Sequence, residues 1–281
     1  MALETAFLTS GLPDGARLPT AVAMSRAVRD HGAEPVFVGV IGGEPVVGID
    51  AAGLERLSRA TGKASTRDLP LAAARGEDAG TTVAATLFLA RRAGVGVAAT
   101  GGIGGVHPGD GRIDESADLI ELARTPVVLV CSGAKAILDL PATLERLETL
   151  GVTVVGYGTS ELPAFWSSES GLALTGRVED AEEAAAVARS ARELGLPGAV
   201  LVCVPPPAEA ALDAEEGKRA VVQALVEAGD RGIEGPGVTP FLLARVAELT
   251  EGRSLAANRA LLAHNAGVAA EIAVALAADA P

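Results

Sequence analysis

The chain has 281 residues, 49% of them hydrophobic, and its 36 acidic against 23 basic side chains give a formal charge of −13. An acidic surface repels phosphate backbones, so we expect no nucleic-acid partner, because such binders neutralise several phosphates with Lys and Arg. The apolar fraction is too high for intrinsic disorder and suffices for the core of one domain spanning residues 1–281.

The sequence also argues against a membrane or secreted protein. No apolar run approaches the ~20 residues that a membrane-spanning helix needs. Glu4 stands where a signal peptide would be positive, and Gly11 and Pro13 interrupt the following apolar stretch. Cys131 and Cys203 each lie in an apolar run, which favours small buried side chains over a disulfide or a metal cluster. We therefore expect a cytoplasmic protein without a membrane partner.

Short apolar runs alternate with helical periodicity along the chain. The runs predict strands at 34–41, 95–100, 126–131, 152–157 and 198–204, and the periodicity predicts helices at 79–93, 116–124, 136–150, 180–194, 211–229, 239–249 and 254–278. This alternation is typical of an α/β fold, here a largely parallel sheet flanked by helices with a helical C-terminal layer. Ligands of such sheets bind beyond the carboxyl ends of the strands, which places the site after Thr100, Cys131 and Val204.

The glycine-rich segment ATGGIGGVHPGDG at 99–111 follows the second predicted strand. Glycines allow backbone N–H groups to face an anion and allow a ligand to approach the main chain. The spacing does not match a dinucleotide-binding GxGxxG motif, and a simple turn is the alternative. His107 follows the glycines and is a better functional candidate than His31, which we expect to be solvated.

The segment DESADLIELART at 114–125 predicts a helix that begins after Ser116. A serine N-cap and the first backbone amides of a helix form an anion site. Asp114 and Asp118 have i, i+4 spacing and are expected to share a helical face, where a divalent cation held by carboxylates and waters could offset their charges. The alternative is a capped surface helix.

Lysine is scarce, since the 23 basic residues include three lysines, Lys63, Lys135 and Lys218. Arginine cannot form a Schiff base, so a lysine kept in a glycine-flanked loop is a candidate nucleophile. Lys135 is expected to open a helix, where the helix dipole would lower its pKa and favour attack on a carbonyl-like carbon. Lys63 lies near Ser65, Thr66 and Arg67 in a cluster suited to phosphate, whereas Lys218 occupies a polar run.

These motifs together resemble the pseudouridine-5′-phosphate glycosidases over essentially the whole chain. The matching segments include KxSxRDLP (63–70), AGTTVAAT (79–86), ATGGIGGVH (99–107), DxSADL (114–119), VCxGAKxILD (130–139), VTPFLLARVAELT (238–250) and SLxxN (254–258). The resemblance implies an α/β homotrimer that uses a divalent metal, usually Mn²⁺. Its reaction would cleave the C–C glycosidic bond between ribose 5-phosphate and uracil, with a phosphorylated ribose and an aglycone as small-molecule partners.

The resemblance also assigns roles to individual residues. Lys135 would be the Schiff-base nucleophile, and Glu4 the acid that protonates the departing carbon. Asp114 would bind the metal through waters. Further substrate, phosphate and pocket contacts would come from Lys63, Val83, Ser116, Ala117, Asp118, His107 and Asn258. This chemistry suits a C-glycoside, whose leaving group is a carbanion, because a lysine iminium provides the electron sink.

The chain departs from the family pattern at several polar positions. Thr5 replaces the serine that is usual in the family, and Ser10 replaces a histidine. Val204 replaces an asparagine, and His264 replaces the first residue of a usual Asn-Asn pair. If these positions surround the nucleobase, the aglycone differs from uracil, since a site built to hydrogen-bond a ring needs its partners. Three functions therefore stay open: a glycosidase, a C-glycosynthase that attaches ribose 5-phosphate to another aromatic ring, and a non-catalytic sugar-phosphate binding protein.

Overall fold

A computed structural model describes residues 1–108, 114–233 and 237–278. Within these ranges the strands are β1 (Ala2–Leu3), β2 (Val36–Ile41), β3 (Glu44–Val47), β4 (Gly62–Ala64), β5 (Ala79–Thr81), β6 (Val97–Ala99), β7 (Val128–Cys131), β8 (Thr153–Tyr157), β9 (Gly176–Val178) and β10 (Val200–Cys203). The helices are α1 (Asp14–Asp30), α2 (Ala51–Ser58), α3 (Leu69–Arg75), α4 (Val83–Arg92), α5 (Ala117–Arg124), α6 (Leu140–Thr149), α7 (Ala181–Glu193), α8 (Ala214–Asp230), α9 (Val238–Leu249) and α10 (Arg253–Ala278). A π-helical turn covers Phe7–Gly11.

The described strands form one sheet with the order β4-β5-β2-β1-β6-β7-β10-β8-β9, and β3 pairs with β2. Strand pairing is parallel except where β2 meets β3 and β5. Strand β1 has two residues but lies inside the sheet, where Leu3 pairs with Phe37 of β2 and Ala99 of β6. The predicted α/β architecture with a largely parallel sheet is confirmed.

All five predicted strands are present, with slightly shorter bounds. The predicted helix at 79–93 is wrong at its start, because Ala79–Thr81 form β5 and the helix begins at Val83. The predicted helix at 136–150 also begins later, at Leu140, where the Asp139 side chain accepts a hydrogen bond from the Ala142 N–H. Lys135 therefore lies in a turn and not at a helix N-terminus, and the dipole argument made for it does not apply.

Helix α10 runs from Arg253 to Ala278, and its length and composition would allow it to cross a membrane. This corrects the expectation that no apolar stretch approaches that length. Its buried residues include Leu261, Ala266 and Ile272, and it packs against α1, α7 and the central strands β6 and β7. Burial within the protein accounts for its apolar composition. The thiols of Cys131 and Cys203 are free and buried, as expected.

Candidate active site

Three neighbouring strands direct their carboxyl ends toward one pocket. Glu4 follows β1, the segment Thr100–Gly102 follows β6, and Lys135 lies in the loop after β7. Lys63 of β4 and Asn258 of α10 complete the polar lining. The pocket holds about 580 Å³ of space, including the solvent at its mouth. The structure thus brings together four of the residues predicted for the site, which are Glu4, Lys63, Lys135 and Asn258.

The loops after β6 and β7 hold each other through backbone hydrogen bonds. The Ser132 N–H donates to the Gly101 carbonyl at 2.8 Å, and the Lys135 N–H donates to the Ile103 carbonyl at 3.0 Å. Gly133 has a φ of 79°, a left-handed conformation that glycine adopts without strain. Sheet-like pairing therefore continues beyond the strands and fixes the backbone of Lys135.

Glu4 is a buried carboxyl group, 8% exposed, beside two cations. Its Oε2 accepts a hydrogen bond from the Thr100 hydroxyl. Burial raises the pKa of Glu4, and this effect outweighs the Lys135 ammonium, the Thr100 hydrogen bond and the Lys63 ammonium, which lower it. A carboxyl group with a raised pKa is suited to donate a proton near neutral pH.

Lys63 is accessible at the pocket wall, and its ammonium lies near that of Lys135. Partial burial and the Lys135 charge lower the pKa of Lys63, while Glu4, Asp118 and Asp68 oppose the shift. The pocket gathers two of the three lysines of a chain whose formal charge is −13. A locally positive site on an acidic protein is what a small phosphorylated ligand requires.

Asp118 joins two helix N-termini to the glycine-rich loop. Its Oδ1 accepts from the Ala84 N–H at 2.9 Å and its Oδ2 from the Gly104 N–H at 2.8 Å. Ser116 caps α5, with its Oγ accepting from the Asp118 N–H at 3.2 Å. Val83 and Ala117, the first residues of α4 and α5, are thereby held close to the same loop. These predicted contacts lie beside the pocket lining and not within it.

Asp118→Asn is expected to lower the free energy of unfolding by about 1–3 kcal/mol, because Asn turns an NH₂ group toward one of two buried N–H donors. Urea denaturation measures this change. Asp114→Asn is the matched control, since Asp114 is exposed and its substitution should stay within about 0.5 kcal/mol. Equal changes in both variants would contradict the role given to Asp118.

Asp114 and Asp118 do not share a helical face, contrary to the prediction from their spacing. Asp114 precedes α5 and is exposed, whereas Asp118 is 4% exposed. The Asp114 carbonyl accepts from the His107 N–H at 2.9 Å, so these two residues lie together but outside the pocket lining. Residues 109–113, which include the end of the glycine-rich segment at 99–111, lie outside the described residues.

The donor set near Asp114 limits the kind of metal site it could form. The described residues contain no group of three or more His, Cys, Asp or Glu side chains that could hold an ion. Within the same ranges the Asp114 carboxylate has no ion-pair partner and faces solvent. One free carboxylate fits a hard cation such as Mn²⁺ only if waters or substrate supply its other ligands.

The far side of the pocket is mostly apolar, and most of it was not predicted. Phe7 and Gly11 of the π-helical turn, Phe165, and Pro240 and Leu243 of α9 line it. Phe165 has a φ of 64°, an uncommon conformation for a bulky residue. A β-carbon at Gly102 would lie 2.7 Å from the Phe165 ring, so the ring requires glycine there. The motif VTPFLLARVAELT contains Pro240 and Leu243, but the sequence assigned neither residue to the pocket.

Most of the departures from the family pattern do not line the pocket. Among the four, Ser10 lines it, and its hydroxyl donates to the Ala6 carbonyl at 3.3 Å. Thr5 is fully buried, and its hydroxyl donates a hydrogen bond to the Val38 carbonyl of β2. Val204, the residue that follows β10, is buried, and His264 is exposed on α10. Of the four replaced positions, only Ser10 lines the pocket.

Comparisons with known proteins found matches over almost the whole chain. The family described as Indigoidine synthase A like protein matches residues 1–275. A pseudouridine-5′-phosphate glycosidase of Gemmatimonas aurantiaca is 52% identical over 283 residues, covering 100% of this chain and 92% of the relative. The enzyme of the same name from Caldanaerobacter subterraneus is 49% identical, covering 98% and 91%.

Two solved structures share the fold. An indigoidine synthase A-like protein from Thermotoga maritima superposes with a TM-score of 0.90 at 40% identity, covering 98% of this chain and 91% of that one. The prealnumycin C-glycosynthase AlnA, in complex with ribulose 5-phosphate, has a TM-score of 0.90 at 38% identity, covering 99% and 91%.

Proposed function

Because the chain belongs to the family of indigoidine synthase A like proteins, and its curated relatives are pseudouridine-5′-phosphate glycosidases, we propose that it is a C-glycosidase. It cleaves the C–C bond between ribose 5-phosphate and uracil in pseudouridine 5′-phosphate. The observation that carries this function is the meeting of Lys135 and Glu4 in one pocket, since the reaction needs an amine nucleophile and a proton donor at the same carbon–carbon bond.

The phosphate binds at the end of the pocket near Asp118. The N-termini of α4 and α5, which begin at Val83 and Ala117, contribute their positive dipole ends. The Ser116 hydroxyl and the Lys63 ammonium add donors from either side. His107 lies near this end through its bond to Asp114. The sugar phosphate is thereby anchored while its C1′ faces Lys135.

The covalent step begins with Lys135. Its Nζ, as a neutral amine, bonds to C1′ while the C1′–O4′ bond breaks, and one Nζ proton passes to O4′, which becomes a hydroxyl group. The nitrogen lone pair then forms the iminium, and the electrons of the C1′–C5 bond pass to the uracil ring. Glu4 donates its proton to C5 as that bond breaks, which avoids a free carbanion. Water adds to the iminium and releases ribose 5-phosphate from Lys135.

The ring of the aglycone faces the apolar wall. Phe7, Phe165 and Leu243 provide apolar area for a planar ring, and the Asn258 amide offers one donor and one acceptor for its polar edge. Within the described residues this amide has no hydrogen-bond partner, so it is available to a ligand. Uracil presents both a donor and an acceptor and matches this amide.

Release of uracil from pseudouridine 5′-phosphate tests the function. We expect turnover at roughly 1 s⁻¹ or faster, as in enzymes of ordinary activity, and a borohydride-trapped adduct of ribose 5-phosphate on Lys135, identified by mass spectrometry. An adduct without uracil release would instead indicate the synthase function. Absence of both would leave the non-catalytic sugar-phosphate binding function and would contradict the glycosidase.

The synthase alternative has two supporting observations. AlnA is a C-glycosynthase with the same fold, and Ser10 replaces the family histidine at the pocket wall. The other three departures do not line the pocket, and the curated relatives near 50% identity are glycosidases. Cleavage is therefore the main function, and bond formation with another aromatic aglycone is the alternative.

Asp114 is the residue that would hold the divalent cation, because its carboxylate is a hard oxygen donor of the kind Mn²⁺ accepts, with waters as the other ligands. When bound, the cation would supply positive charge near the phosphate end of the site. We expect the Asp114→Asn variant to lose Mn²⁺ binding, because its amide carries no charge, while its fold is unchanged. Electron paramagnetic resonance of free Mn²⁺ during titration measures the binding. Wild-type affinity in Asp114→Asn would contradict this assignment.

The remaining expectations concern assembly and location. The family resemblance supports a homotrimer. The free thiols of Cys131 and Cys203 suit a reducing compartment, which supports a cytoplasmic location. The partners are a phosphorylated ribose and an aglycone.

A further inference from the structure

Asn265 is a fully buried amide in the middle of the apolar helix α10. Its Nδ2 donates to the Thr100 carbonyl at 2.9 Å and contacts the Ser132 Oγ at 3.1 Å. The Gly101 carbonyl lies 3.4 Å from the same nitrogen, and the Ser132 hydroxyl lies 3.3 Å from Asn265 Oδ1. One side chain therefore binds the first residues of two different loops.

Its neighbours on the helix show why this amide is unusual. Leu261, Leu262, Ala266 and Ala269 are buried apolar residues of the same helix. A buried amide is costly unless it is hydrogen-bonded, and an apolar side chain would suit the surrounding core. The amide contributes what an apolar residue cannot, which is a fixed connection to the two loops.

Each of these loops carries part of the proposed chemistry. Thr100 begins the loop after β6, and its hydroxyl donates to Glu4. Ser132 begins the loop after β7, three residues before Lys135. The Ser132 N–H also donates to the Gly101 carbonyl at 2.8 Å, so Asn265 reinforces the pairing of the two loops at their base. Fixing Thr100 against Ser132 fixes the proton donor against the nucleophile.

We propose that Asn265 is a positioning residue that sets the placement of Glu4 relative to Lys135 through Thr100 and Ser132. It touches neither the substrate nor the reacting groups. The inference rests on the proposed function, because it assigns Glu4 and Lys135 their roles as acid and nucleophile.

The test compares Asn265→Asp and Asn265→Ala with the wild-type enzyme. The aspartate is isosteric but places an acceptor against the Thr100 carbonyl, and alanine removes both contacts. We expect kcat to fall roughly 10- to 100-fold, as a small misplacement of reacting groups produces, with little change in KM. The alkaline limb of the pH–kcat profile should move to higher pH, because a displaced Thr100 hydroxyl no longer lowers the pKa of Glu4.

Ile272→Val on the same buried helix is the control, because it loosens packing without touching either loop. We expect Ile272→Val to keep the kcat and the pH profile of the wild type, although its melting temperature falls by an amount comparable with that of the Asn265 variants. If the Asn265 variants do not fold, Ser132→Ala, which removes one hydroxyl, should show the same shift in smaller degree. The proposal is overturned if folded Asn265 variants have the kcat and the pH profile of the wild type. If those variants do not fold, the same result for Ser132→Ala overturns it.

The wild-type reactions separate this inference from the function on which it rests. A wild-type chain that neither forms the ribose 5-phosphate adduct nor releases uracil overturns the proposed function and this inference with it. A wild-type chain that does both, with Asn265 variants indistinguishable from it, overturns the inference alone.

Discussion

Lys135→Arg is expected to abolish both uracil release and the ribose 5-phosphate adduct, with kcat reduced by at least ~10³-fold, as for the loss of other covalent nucleophiles. The guanidinium keeps the positive charge of the pocket but stays protonated and cannot form an imine. Steady-state kinetics and mass spectrometry after borohydride reduction measure the two effects. The loss would then be assigned to covalent chemistry and not to charge.

Lys218→Arg provides the matched control for that substitution. Lys218 is exposed on α8, away from the lining of the pocket. The same chemical change there should leave kcat and the adduct unaltered. Trapping of ribose 5-phosphate on the Lys135→Arg protein would contradict the assignment of Lys135 and direct attention to Lys63, the other pocket lysine.

Glu4→Gln is expected to separate the two halves of the reaction. Glutamine keeps the shape of the side chain and can still accept the Thr100 hydrogen bond, but it has no proton to donate. We expect kcat for uracil release to fall by about 10²–10⁴-fold, while ribose 5-phosphate is still trapped on Lys135. Loss of the adduct together with turnover would contradict a role confined to proton donation.

The pH dependence of the wild type should report the same residue. Glu4 acts in its protonated form, so activity is lost as the pH rises through its pKa. Burial raises that pKa above the ordinary value of 4.5, so the alkaline limb should lie at higher pH than for an exposed carboxyl group. The residual activity of Glu4→Gln should lack this limb. A limb that persists unchanged in Glu4→Gln would assign it to another group.

Local sequence patterns predicted the elements that bury apolar residues on both faces. The five strands with continuous apolar runs were identified, because parallel strands between helix layers carry such runs. Strand β1 was missed because two residues, Ala2 and Leu3, are too few to show a hydrophobic period. Their strand conformation depends on pairing with β2 and β6, which are distant in the sequence. The position of Glu4 at the centre of the sheet therefore could not be derived from spacing.

The start of α6 shows an error that local chemistry could have avoided. Asp139 precedes Leu140 and Pro141, and proline is tolerated in the first turn of a helix but not in its interior. That order indicates a helix start at Leu140 and leaves Lys135 in a loop. The motif match identified Lys135 correctly as a pocket residue even though the expected helix was wrong.

The apolar wall of the pocket was not predicted as part of the site. Helix α9 was predicted from its periodicity, but the packing of Pro240 and Leu243 over the pocket depends on tertiary structure. The same holds for Phe165, whose neighbour in space is Gly102, far away in the sequence. The motif at 238–250 includes Pro240 and Leu243, but a motif does not show which of its apolar side chains face the pocket.

The separation of this wall from the sheet bears on how new activities could arise in the fold. Lys135 and Glu4 are held by strand ends and paired loops, whereas Pro240 and Leu243 belong to a helix that contributes no reacting group. Selection could therefore exchange residues of α9 for a different ring while bond-making residues stay untouched. The same reacting residues could therefore serve an enzyme that breaks a C–C glycosidic bond and an enzyme that forms one with a different ring.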